Sequence, residues 1–131
     1  MNLNHPYLPH LLILLFLLIT FVVSVIEKLS DWSGTISYIS ETFKNSLIKN
    51  FIKPLIAFLV FLEVLTVYFI TIGIYQLFID QEKENALLGS TISCISILYM
   101  LIGQRIAKDY PGATSLTVYF ILSVFGVYLL N

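Results

Sequence analysis

Between Pro54 and Ile79 the chain is apolar except for occasional hydroxyl and amide groups, and Glu63 is its one acidic or basic side chain. Taking Pro54 as the boundary, Glu63 lies about 13 Å inside at 1.5 Å per helical residue. A carboxylate at that depth has two chemical uses, accepting a proton or orienting a ligand. It has one structural use, hydrogen bonding between helices to fix their register. The side chains that could answer it come from the same half of the other apolar segments: Lys28, Arg105 and the hydroxyls of Tyr99 and Tyr119. The two basic chains would have to reach inward by about 6 Å or more, the reverse of snorkelling. A neutral Glu63 bonded to a tyrosine or serine hydroxyl satisfies the same position.

Little else in the sequence points to chemistry. Cys94 is the single cysteine, so no disulfide or two-cysteine exchange can form within one copy, and it reads as a small packing residue. His5 and His10 are the only histidines, too few nitrogen ligands for a haem or closed zinc site, and the expected metal set is none. Ala86, Gly89, Ser90, Ser93, Cys94 and Ser96 form a small-residue face suited to close helix packing, with Gly73 and Gly126 serving the same end. No G-x-S-x-G elbow accompanies those serines. Arg105 and Lys108, with Lys28, could form an anion or headgroup site; the plainer reading is a solvated helix end anchored by Tyr110.

The elements that must position these residues follow from composition. With 58% hydrophobic residues and 11% charged among 131, the chain is built for a bilayer, and its net charge of -1 offers no field for nucleic acid. Four segments, 7–26, 54–79, 86–103 and 113–130, are long enough to span a hydrocarbon core as helices. The first lacks a basic leader and a small-residue cleavage site, so it reads as a retained helix. Pro9 and Pro54 stand at helix entries, and Pro111-Gly112 and the charged stretch 80–85 make tight connections.

The longer connector is patterned. Trp32, Ile36, Ile39, Phe43 and Leu47 recur on one helical face, predicting an amphipathic helix over 32–48 that lies at the interface or caps the bundle. Lys28, Lys44, Lys49, Lys53, Arg105 and Lys108 flank the first and third connections, against Lys83 alone on the other side. That bias places both termini outside and the long connector in the cytoplasm of a bacterial inner membrane. The expectation is one all-α transmembrane domain: an integral four-helix bundle with an amphipathic interfacial helix between its first two spans.

The segment Phe21-Val22-Val23-Ser24-Val25-Ile26-Glu27-Lys28-Leu29 resembles the F-x-x-S-G-x-x-K-L end of the first helix in the DoxX family of small four-helix bacterial membrane proteins. The likeness continues through Trp32-Ser33-Gly34-Thr35, through Glu63 with Gly73, and through Gly103-Gln104-Arg105-Ile106-Ala107-Lys108-Asp109-Tyr110 and Phe125-Gly126-Val127-Tyr128. Val25 stands where the family carries glycine, which bears on any close contact there. The resemblance implies a membrane subunit of a redox assembly, such as a quinone-linked oxidoreductase, without naming one reaction. On that basis Glu63 and Lys28 are expected to line a pocket for a proton or a quinone-sized ligand, with no covalently bound cofactor. The rival expectation is a non-catalytic accessory subunit that stabilises a larger envelope complex among protein partners and lipids. The sequence does not decide whether the chain is an enzyme.

Overall fold

The computed structural model describes residues 5–131. Five helices follow one another: α1 (Leu8–Ser30), α2 (Trp32–Thr42), α3 (Ile52–Ile79), α4 (Glu84–Ile106) and α5 (Tyr110–Leu130). All but α2 are long and apolar enough to cross a membrane, so the chain is a multi-pass membrane protein. Neighbouring contacts run α1 to α3, α3 to α4, α4 to α5 and α5 back to α1, a closed ring of four. One end of the ring carries the start of α1, the end of α5 and the α3–α4 turn; the other, the connector end, carries α2 and the α4–α5 turn.

The bundle interior is apolar over most of its length, with Leu14, Leu17 and Phe21 of α1 meeting Ile70 and Leu77 of α3, Ile97 of α4 and Leu116 of α5. Because lipid tails are as apolar as leucine, close backbone packing must add to the association. The α3–α4 seam supplies it. A carbon added at Gly73 would lie 2.5 Å from the Ala86 backbone, and one at Gly89 would lie 2.8 Å from the Ile70 backbone nitrogen. Both glycines therefore set how near the two helices come.

Two boundaries differ from expectation, and both matter for the site. Helix α1 continues to Ser30, past the predicted end of its span, so Glu27 and Lys28 are held in its last turns. Helix α2 stops at Thr42 instead of running to 48. Beyond it, Ser46 Oγ donates to the Phe43 carbonyl at 2.8 Å and accepts from the Ile48 N–H at 3.3 Å, giving the backbone an alternative to helix. Ile48, not Leu47, thus completes the apolar face: Trp32, Ile36, Ile39, Phe43 and Ile48 pack on Ile52, Ile56 and Val60, while Leu47 is 98% exposed. Helix α2 caps the end of the bundle against α3.

Two Asp-x-x-Gly turns shape that end. Asp31 accepts from the Gly34 N–H at 3.2 Å and starts α2; Asp109 accepts from the Gly112 N–H at 3.1 Å and starts α5. Lys108, at φ 61, closes α4 in the left-handed region, and the Asp109 N–H reaches back to the Gln104 carbonyl at 2.9 Å.

Close packing at the seam has a direct check. Gly89→Ala is expected to cost about 1–3 kcal/mol of stability in detergent. Gly103→Ala, whose added carbon meets only Phe43 Cζ at 3.7 Å, should be neutral or stabilising, since alanine favours helix over glycine. Equal melting shifts for the two variants would show that the seam is not the limiting contact.

Candidate functional site

Glu63 occupies the inward stripe of α3 together with Leu59, Val60, Thr66 and Ile70, and it is fully buried. It lies about 17 Å from the first residue of α3 by helical rise. Across from it, the Lys28 side chain runs backward along α1, donating to Ser24 Oγ one turn deeper and bringing Nζ to 3.0 Å from Glu63 Oε1. Only 16% of the lysine side chain is exposed. A lysine two residues from the end of a spanning helix would ordinarily turn outward to water. Here it turns inward, and the buried carboxylate is the reason: an isolated charge in a medium of low dielectric is far more costly than a compact pair.

The pair is an ion pair by distance, but the approach lies outside hydrogen-bond angles. Neither Glu63 oxygen has a hydrogen-bond donor among the described residues. The carboxylate is thus balanced in charge while its lone pairs stay without a hydrogen-bond donor, an arrangement a water molecule would complete.

Lys28 also forms part of the wall of a cavity of about 770 Å³ at the connector end. The walls come from the end of α1, the underside of α2 at Ile39 and Phe43, the first turns of α3, and the end of α4. They are mainly apolar, with Leu55, Ile56, Leu59 and Met100 among them, while Glu27, Asp31 and Asp109 stand at the solvent-exposed margin. Glu63 is not on this wall; it sits behind Lys28. The ammonium has three donors, of which Ser24 takes one, and it meets the carboxylate through charge and not through a hydrogen bond. Donor capacity is thus left over in the cavity wall.

The other candidate residues are placed as follows. Tyr99 lies in the cavity wall, its hydroxyl donating to the Leu55 carbonyl at 2.7 Å and its ring 5.5 Å from that of Phe58. Its hydroxyl bonds to that carbonyl and not to Glu63. Tyr119 packs against Phe16 with ring centroids 6.1 Å apart. Arg105 stacks its guanidinium 5.1 Å from the Tyr110 ring and lines a different cleft with Leu101, Ala113 and Thr114. Lys28 and Glu63 are therefore brought together, Tyr99 shares the cavity, and Arg105 and Tyr119 are directed elsewhere. Lys28 does not join Arg105 in a shared anion site. Sequence reasoning left out Ser24 as the lysine's partner, although four residues on one helix face bring such side chains together.

No family model, curated protein or solved structure matches this chain.

A charge-balance test separates pairing from simple polarity. Lys28→Met leaves a buried carboxylate uncompensated and should cost about 3–5 kcal/mol, whereas Lys28→Met with Glu63→Gln should recover most of that loss. Thermal unfolding in detergent reads the difference. A double variant no more stable than Lys28→Met would mean that the two side chains are not energetically coupled.

Proposed function

We propose that this protein is a DoxX-like membrane subunit that holds the head of a quinone-sized ligand in the cavity beneath α2, against Lys28 with Glu63 behind it. The observation that carries the reading is the inward-turned lysine: its charge is balanced by Glu63, and it forms part of the wall of a mainly apolar cavity with donor capacity left over. Charge balance suits a neutral ligand better than an anion. A quinone carbonyl accepts such a hydrogen bond, and a ring with an isoprenoid stem suits walls of leucine, isoleucine, methionine and phenylalanine. Binding sites of this kind are commonly a few hundred to a thousand Å³, and about 770 Å³ falls within that range.

The chain contributes position and proton chemistry in this reading. Electrons would come from a partner protein of the redox assembly, in a bacterial inner membrane with both termini outside and α2 on the cytoplasmic side. Lysines flanking α1, α2 and α3 support that orientation.

Trp32 is the only tryptophan and packs at the capped end of the bundle, so its fluorescence reports on the cavity. A short-chain quinone added to the protein in lipid nanodiscs should quench Trp32 saturably. Lys28→Met combined with Glu63→Gln, which removes the donor without stranding a charge, should weaken binding by about tenfold. Unsaturable quenching, identical in both proteins, would leave the accessory, non-catalytic role as the reading of this bundle.

A further inference from the structure

The bundle carries a second polar feature that ligand binding in the cavity does not use. Thr66, Ser90, Ser93, Ser96 and Ser123 are, like Glu63, fully buried. Packing explains why small residues occur at a helix seam, but not why so many are hydroxyls when alanine would pack as closely.

Their arrangement is linear. Gly73 against Ala86 fixes the antiparallel register of α3 on α4, and the same step along both helices brings Glu63 level with Ser96 and Thr66 level with Ser93. Thr66 Oγ1 meets Ser96 Oγ at 3.5 Å. One turn further toward the termini, Ser93 donates to the Ser90 carbonyl at 2.6 Å, while Ser90 Oγ has no partner among the described residues. Ser90 Oγ faces Gly126 of α5, where a β-carbon, had there been one, would lie 3.5 Å from it. Beyond that niche, His10 of α1 bonds through Nε2 to the Leu129 carbonyl at 3.1 Å, and its Nδ1 is buried without a partner among the described residues.

Unpartnered polar atoms therefore stand at Glu63 and Ser90, within the row of buried hydroxyls, and at His10 nearer the terminal end of the bundle. Each is destabilising if left dry. Water satisfies such atoms where a site is polar and has room, and the glycine at 126 leaves no side chain between Ser90 Oγ and the α5 backbone. A hydroxyl that donates to its own helix still accepts from water, so the bonds to helix carbonyls do not block the line.

We infer that the row from Glu63 through Thr66, Ser96 and Ser90 to His10 is a hydrated proton path joining the cavity to the far end of the bundle. It deepens the proposed function only in making Glu63 the group at the path's cavity end; quinone binding is not needed for it. A proton enters from water at the His10 end. At each hop one O–H or N–H bond forms as another breaks, and the proton leaves from Glu63 past Lys28 to water or a ligand in the cavity. No electron moves.

The test is proton flux into vesicles that hold the full chain and an internal pH dye, driven by a potassium diffusion potential. The wild-type rate should be several-fold above that of protein-free vesicles. Two variants should return it to the protein-free rate: Gly126→Ala, which fills the niche beside Ser90, and the paired Lys28→Met and Glu63→Gln. The carbon added at Gly126 would lie 3.1 Å from Ile13 Cγ2 and 3.5 Å from Ser90 Oγ, so Ile13 must give by a few tenths of an ångström and the melting midpoint should fall only slightly. That variant should keep quinone quenching of Trp32, which separates this path from the cavity. A wild-type rate equal to that of empty vesicles overturns the inference, and so does flux untouched by Gly126→Ala in a protein that remains folded.

Discussion

An acid that has no water must be given a counter-charge, and in this bundle that requirement draws Lys28 against its ordinary preference. The ammonium could reach solvent from the last turns of α1, yet it folds back to Ser24 and Glu63. The contact ties α1 to α3 at the only place where either helix has a buried charge. Apolar packing below it, from Leu14 to Phe21 against α3, holds the two helices at the spacing the pair needs.

Around this contact the connector end is built as a chamber. Asp31 and Asp109 each start a helix with the same side-chain cap, and each stands at the cavity margin. Helix α2 then lies across the opening with its apolar face on α3. Capping thus does two jobs: it satisfies helix ends that would otherwise expose bare N–H groups, and it sets the frame of the cavity. On the lysine's other side the bundle closes tightly, because Gly73 and Gly89 let α3 and α4 approach to backbone contact.

Much of this was legible in the residues. Length and hydropathy gave four spans, because a bilayer permits few alternatives to a helix. The isolation of Glu63 marked it as needing a partner, and the short list of nearby polar groups contained the one it has. Arg105 was on that list for its depth alone, and depth does not say which way a helix face turns; Tyr110 provides a closer partner for the guanidinium. The extent of α2 was misjudged because hydrophobic spacing continued through Leu47, while the competing hydrogen bonds of Ser46 carry no periodic signal. The cavity was not legible at all as a shape. It arises from where three helix ends fall short of one another, a property of their relative heights and not of any local pattern.

Lys28 facing inward also has a meaning for how the chain is made. When α1 first enters lipid, Glu63 has not yet been synthesised, and the lysine's lowest-energy place is among the headgroups. It can swing inside only after α3 arrives, by which time α2 and the turns after it have been laid down. The first helix therefore reaches its final arrangement only when α3 packs beside it, after the amphipathic segment between them has been made. A nascent chain truncated before α3 would hold its first helix at a shallower depth than the finished protein does.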